Sequence, residues 1–130
     1  FFFFFLYPQY APFHVSRVVD VARRVEYDGL VWHRVENNFV IQGGDPEKTG
    51  WGVGKDIIRA EINPLRFKRG SLGMPRSTDW DSGGTQLFIN HVPTPRLDGL
   101  YTLFGQVIQG MDVVDNIQPG DSIIKVTVQY

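Results

Sequence analysis

The 130-residue sequence contains no cysteine. Disulfides, thiolate nucleophiles and sulfur-ligated metal sites are therefore excluded. Cysteine-free proteins occur in reducing and oxidising compartments alike, so this absence leaves both a cytoplasmic and a periplasmic location open.

Neither sign of charge is in excess, since 13 Lys and Arg face 14 Asp and Glu, for a net charge of -1. This balance predicts no nucleic-acid partner and no attraction to an anionic membrane surface. Apolar runs approaching the roughly 18 residues of a membrane span are also lacking, so we expect no membrane span.

Sequence motifs typical of several enzyme classes are missing as well. His14, His33 and His91 show no short ligand spacing, and we expect no metal site and no cofactor. A serine hydrolase would carry a G-x-S-x-G elbow, and the sequence has none. Specificity must therefore come from a pocket built of ordinary side chains.

The most informative stretch that is present runs over residues 31–45. Two short apolar runs flank the polar break at 36–38, and a Gly-Gly-Asp-Pro turn follows. This pattern predicts two strands joined by a tight loop. Arg34 and Gln42 are lone polar residues among β-formers, which makes them the first candidates for chemistry.

About seven short strands and two helices are predicted along the chain, with strands at 57–62, 70–75, 85–90, 101–108 and 122–128 among them. In the strand over 85–90, alternation places Gln86 and Phe88 on one face and Leu87 and Ile89 on the other. One helix is expected to begin at Ser16 as N-cap, and a second to cover 111–117. Many strands with two distant helices favour a mostly antiparallel β-barrel or sandwich.

Several sequence blocks together resemble the cyclophilin family of peptidyl-prolyl cis-trans isomerases, in particular its bacterial members. The blocks are WHRVENNFVIQGGDP, GSLGMPR, GGTQLFIN and RLDGLYTLFGQVIQGMDVVD, in consistent order between about Leu6 and Val128. The resemblance implies a mostly β fold, a closed antiparallel eight-stranded barrel capped by two α-helices, in one domain over residues 1–130. The family's first strand is missing or altered around the Phe1 to Phe5 run, which leaves an N-terminally incomplete domain open.

The resemblance also assigns site residues. It implies Arg34 as the catalytic arginine and Gln42 as the glutamine that fixes the substrate backbone. It implies substrate-binding roles, in the proline pocket and along the groove, for Phe39, Val40, Arg76, Gln86, Phe88, Leu97 and Tyr101. A guanidinium near the prolyl nitrogen suits the reaction, because it stays charged and would stabilise the twisted amide.

The partners implied are proline-containing peptides and unfolded protein chains, acted on by a monomer. Two departures from the family pattern bear on this expectation. Pro75 and Arg76 replace the usual Ala-Asn pair of the groove wall, and Pro75 has no N–H to donate. Arg96 stands where cyclosporin-sensitive members carry tryptophan, so we expect weak cyclosporin binding.

Two other functions stay open beside the isomerase. A proline-peptide binding module would keep the groove but turn over poorly, as the changed wall would permit. A purely structural barrel would neither bind such peptides nor accelerate their isomerisation.

Overall fold

A computed structural model describes residues 1–52 and 56–129 of the chain. It contains six strands, two α-helices and one turn of 3-10 helix. In chain order they are β1 (Phe3–Leu6), α1 (Pro12–Arg23), β2 (Arg34–Glu36), β3 (Val40–Gly43), β4 (Ser71–Gly73), β5 (Leu87–Asn90), the 3-10 turn (Pro95–Leu97), β6 (Leu103–Gln109) and α2 (Met111–Asn116). None of the helices described is long and apolar enough to cross a membrane.

The six strands form one antiparallel sheet in the order β1-β6-β4-β5-β3-β2. The prediction of a mostly β, antiparallel fold is thus confirmed. The closed eight-stranded barrel is not, because the described residues form an open sheet with β1 and β2 at its ends.

The two missing strands were predicted at 57–62 and 122–128, and each segment makes only a single bridge, Ile58 to Gly83 and Val31 to Ser122. In the first segment the backbone N–H groups of Ala60 and Glu61 donate to side chains instead of to a neighbouring strand. An apolar alternation alone does not reveal such competing acceptors.

The sheet separates two apolar layers, as the two-residue alternation of its strands requires. On one face, Ile41, Leu72 and Ile89 lie in neighbouring register on three adjacent strands, and each is fully buried. Helix α1 contributes Val18 and Val21 to the same main core. The other face of the sheet carries the candidate site.

Strand β1 is apolar on both of its faces. Phe3 and Phe5 are 47% and 62% exposed, whereas Phe4 and Leu6 pack against the main core. The strand pairs with β6, and this pairing holds the run in place.

Helix α1 begins at Pro12, four residues before Ser16, so the prediction of Ser16 as the N-cap is wrong. Proline suits the first turn of a helix, but Ala11 in the N-cap position has no side chain that could accept a hydrogen bond. The carboxylate of Glu61 takes over this function, accepting the N–H groups of Phe13 at 3.2 Å and His14 at 2.8 Å. A capping residue 47 positions away in sequence leaves no local signal.

The same carboxylate lies 2.6 Å from Nδ1 of His14, whose side chain is buried. Burial lowers the pKa of His14 and outweighs the opposing hydrogen bond and charge of Glu61. The imidazole is therefore neutral, and its Nδ1–H donates to Glu61. One carboxylate thus ties the start of α1 to the segment before β4.

Replacing the cap tests this link. Glu61→Gln removes the charge and one acceptor oxygen, so we expect the free energy of unfolding to fall by about 1–2 kcal/mol. Glu26→Gln, an exposed carboxylate just beyond the other end of the helix, should change stability by less than about 0.5 kcal/mol. Urea denaturation of both variants measures the difference, and equal effects would refute the capping role.

Candidate functional site

A second cluster of apolar side chains lies apart from the main core. Its buried members are Val40, Phe67, Phe88, Leu97 and Leu103, and its partly buried members are Tyr7, Phe39, Leu65 and Tyr101. We call this set the pocket cluster. It contains five of the seven substrate-binding residues that the resemblance implies, namely Phe39, Val40, Phe88, Leu97 and Tyr101.

Sequence reasoning missed Phe67, whose ring stacks on Phe88 with 5.6 Å between the centroids. Tyr101 meets Phe88 edge-on at 6.0 Å. Phe67 lies in irregular chain between basic residues, and no periodicity marks it as buried.

Gly73 makes room for these rings. It lies directly opposite Phe88 in the pairing of β4 with β5. A Cβ atom at this position would lie 2.7 Å from Phe88 Cε2 and 2.8 Å from Phe67 Cε1, distances that real side chains do not tolerate. The absence of a side chain at Gly73 therefore lets the two aromatic rings approach the backbone of β4 closely.

One row of the sheet leads from the pocket cluster to the candidate catalytic group. Gln42 lies opposite Phe88 on one side and opposite Arg34 on the other. Directly paired residues in antiparallel strands point to the same face. The exposed Arg34 guanidinium and the nearly buried Gln42 amide therefore stand beside the aromatic rings because of strand register.

A chain of hydrogen bonds orients these polar groups. Nη1 of Arg34 donates to Oε1 of Gln42 at 3.3 Å, and Nε2 of Gln42 donates to Oε1 of Gln86 at 2.9 Å. Nε2 of Gln86 donates to the backbone carbonyls of Gly50 and Gly52, at 3.0 and 2.6 Å. We call this chain the amide relay. Because carbonyl oxygens only accept, they fix the orientation of both glutamine amides.

The loop that supplies those carbonyls is held by Asp45, whose residue is fully buried. Its carboxylate accepts backbone N–H groups from Glu47, Thr49, Gly50 and Gly52. Burial acts to raise the pKa of Asp45, but the four backbone donors together outweigh it and hold the pKa below its ordinary value. A charged Asp45 thus fixes the far end of the amide relay.

The substrate-binding role that the resemblance implies for Gln86 stays a prediction. Its side-chain amide is bonded to Gln42 and to the loop carbonyls, and the residue is 7% exposed. This geometry suits a residue that orients Gln42.

Arg34 is also paired with Glu36, at 2.8 Å between Nη2 and Oε1. Both side chains are about half exposed, so the ion pair is screened by solvent and weak. The guanidinium carbon of Arg34 lies 5.7 Å from the ring centre of Phe39, a partly buried member of the pocket cluster.

The altered wall residue Arg76 closes over the pocket cluster from another side. Its guanidinium lies 4.5 Å from the ring centre of Tyr101 and 4.6 Å from that of Trp80. It also donates to the carbonyl oxygens of Leu100 and Ser77. Arg76 therefore fixes this wall through contacts within the chain.

The comparisons with known proteins agree on one family. The family model described as "Cyclophilin type peptidyl-prolyl cis-trans isomerase/CLD" matches residues 2–129. Peptidyl-prolyl cis-trans isomerase B of Bacillus subtilis is 41% identical over 128 residues, covering 97% of this chain and 89% of the relative. A peptidyl-prolyl cis-trans isomerase of Helicobacter pylori is 43% identical over 117 residues, covering 87% of this chain and 71% of the relative.

Solved structures give the same result. A cyclophilin type peptidyl-prolyl cis-trans isomerase of Cryptosporidium parvum superposes with a TM-score of 0.85 at 28% identity, covering 95% of this chain and 86% of that chain. A crystal structure of the same protein in the presence of the dipeptide Ala-Pro gives a TM-score of 0.83, covering 94% of this chain and 85% of that chain. The pocket cluster, the sheet that carries it and these matches together show that the chain belongs to the cyclophilin-type peptidyl-prolyl cis-trans isomerases and is an isomerase of that family.

Proposed function

We propose that the chain accelerates rotation about X-Pro bonds with Arg34 as the catalytic residue and the pocket cluster as the seat of the proline ring. The observation that carries this proposal is the row from Arg34 through Gln42 to Phe88, which ends in the aromatic rings. A fixed cation beside an apolar pocket is the arrangement that this reaction needs.

The chemistry follows from the amide itself. Delocalisation of the nitrogen lone pair sets a rotation barrier of roughly 18 to 20 kcal/mol. A guanidinium that donates to the prolyl nitrogen localises that lone pair, and the donated hydrogen bond is strongest when the amide is twisted. Because arginine cannot deprotonate and has a rigid fork of donors, it can provide this stabilisation over a wide pH range.

The remaining site residues hold the peptide while one side of the bond turns. Gln42 retains one free N–H and one free lone pair beyond the amide relay, and these can meet the peptide backbone. Val40, Phe88 and Leu97 are at least nine-tenths buried. The proline ring of the substrate therefore rests mainly on the exposed parts of Phe39 and Tyr101.

The substrates we infer are proline-containing peptides and unfolded or flexible chains, handled by a monomer. The neighbour solved in the presence of Ala-Pro supports a small X-Pro ligand for this fold. No covalent bond is made or broken, so the reaction requires no nucleophile, metal or nucleotide.

A proline-peptide binding module with little turnover is the second candidate. The ion pair of Arg34 with Glu36 favours it, since the guanidinium must turn partly away from Glu36 to reach a substrate. The wall at Pro75 and Arg76 points the same way, because this pair offers a peptide fewer backbone donors.

The role of Arg34 is tested by removing its charge and, in a separate variant, only the rigid fork of N–H donors. We expect Arg34→Ala to lower kcat/KM about a hundredfold or more, and Arg34→Lys to lower it about tenfold, because lysine keeps the charge without the rigid geometry. NMR exchange spectroscopy of an Ala-Pro peptide measures both rates. Arg24→Ala, which removes an exposed arginine at the C-cap of α1, is the matched control and should act like the parent.

The same samples separate the two candidate functions. Chemical-shift titration gives the dissociation constant of the peptide for the parent and for Arg34→Ala. Lost turnover with retained binding supports catalysis by Arg34. Binding without acceleration by the folded parent would leave the binding module, and neither binding nor acceleration would leave a structural role.

The amide relay predicts that Gln86 acts on turnover more than on affinity. We expect Gln86→Met, which cannot donate to the loop carbonyls, to lower kcat about tenfold with KM nearly unchanged. In Gln86→Glu, the protonated acid regains a donor, so kcat should recover as pH falls through the titration of that carboxyl. A loss confined to KM, or no recovery at low pH, would contradict the positioning role.

Cyclosporin provides a test of the groove itself. Arg96 lies over Phe39 with 4.5 Å between the guanidinium carbon and the ring centre, and it offers no indole to the apolar ligand. We expect inhibition only in the micromolar range or weaker, and Arg96→Trp should strengthen it at least tenfold. Inhibition assays on both proteins measure this, and nanomolar inhibition of the parent would overturn it.

A further inference from the structure

A small groove borders the pocket cluster and shares Phe39 with it. Its volume is about 190 Å³. It is lined by Asn38, Phe39, Val92, Pro93, Thr94, Pro95 and Arg96. None of these residues carries a negative charge. We call it the Arg96 groove.

Two polar side chains in the Arg96 groove have hydrogen-bond donors to spare. The exposed Arg96 guanidinium packs over the Phe39 ring but makes neither an ion pair nor a hydrogen bond within the described part of the chain. The Asn38 amide is likewise unused among those residues. The hydroxyl of Thr94, in contrast, is already bonded to Val92 and Asn90.

The two acidic residues that lie closest in sequence to the lining of the groove, Glu36 and Asp98, each have a partner outside it. Glu36 is paired with Arg34, and Oδ1 of Asp98 accepts the N–H of Phe67. The chain as a whole has a net charge of -1, so it has no general attraction for anions. The positive charge at Arg96 is thus a local feature.

Phe39 connects the Arg96 groove to the proposed proline seat. Its ring belongs to the pocket cluster and also lines the groove. A peptide whose proline rests on the pocket cluster therefore brings a neighbouring side chain to Arg96. An acidic side chain there would meet a planar, always charged fork of donors, the geometry that favours carboxylates.

We propose that Arg96 is a specificity residue and that the chain prefers X-Pro segments with an aspartate or glutamate close to the proline. This inference rests on the proposed function, because it assumes that the proline occupies the pocket cluster. It names the substrate class that the groove selects. Since the site is exposed, the preference is modest, about two- to fivefold in kcat/KM at low salt.

The test uses peptides that differ in one side chain. Short Ala-Pro peptides carry Glu, Gln or Lys at one, two or three residues on either side of the proline, and NMR exchange gives kcat/KM for each. The Glu to Gln ratio isolates the charge, since the two side chains have nearly the same shape. The variants are Arg96→Gln and Arg96→Glu, with Arg24→Gln at the C-cap of α1 as the matched loss of one positive charge.

We expect the parent and Arg24→Gln to prefer Glu over Gln two- to fivefold at one position, with the preference reduced by 0.5 M salt. Arg96→Gln should bring the ratio of kcat/KM for the Glu and Gln peptides to about one. Arg96→Glu should turn over the Lys peptide faster than the Glu peptide. An unchanged ratio in Arg96→Gln, or no preference in the parent, would overturn the inference. The Gln peptide serves as internal control, because failure of the isomerase proposal would remove turnover of every peptide.

Discussion

The pairing of β3 with β2 on one side and with β5 on the other is the constraint on which the site depends. It places Arg34, Gln42 and Phe88 in one row, on the face of the sheet opposite the main core. A one-residue shift of β3 would turn Gln42 into that core and take it out of the row. The fully buried Ile41, which lies opposite Ile89 in the register, opposes such a shift, because it would then leave the core. Packing of the core therefore sets the position of the catalytic candidate.

The sequence predicted those parts of the structure that local pattern determines. The two strands around 36–38 and the face of the sheet on which Phe88 lies both follow from alternation and residue type. The cap of α1 by Glu61, the stacking of Phe67 and the anchoring of a loop by Asp45 do not. Each of these depends on residues far apart in the chain, and one sequence carries no signal of such contacts. The pocket residues were identified through resemblance to a family, and the contacts that hold them together appear only in the fold.

Two sets of contacts hold the Arg34 guanidinium. The Arg34 guanidinium donates to the amide relay on one side and pairs with Glu36 on the other. In the function we propose, the relay lowers the cost of orienting the guanidinium for a substrate. The pair with Glu36 is exposed to solvent and weak, so in the same proposal a peptide displaces it.

We propose that the amide relay acts on turnover by placing the Arg34 guanidinium, and a double-mutant cycle measures this coupling between Gln86 and Arg34. The kcat of the parent, Arg34→Ala, Gln86→Met and the combined variant is measured on one Ala-Pro peptide by NMR exchange. If the amide relay serves only to place the guanidinium, Gln86→Met lowers kcat no further once Arg34 is gone. Losses that add in the combined variant would show that Gln86 acts by another route, and the account of the relay would be wrong.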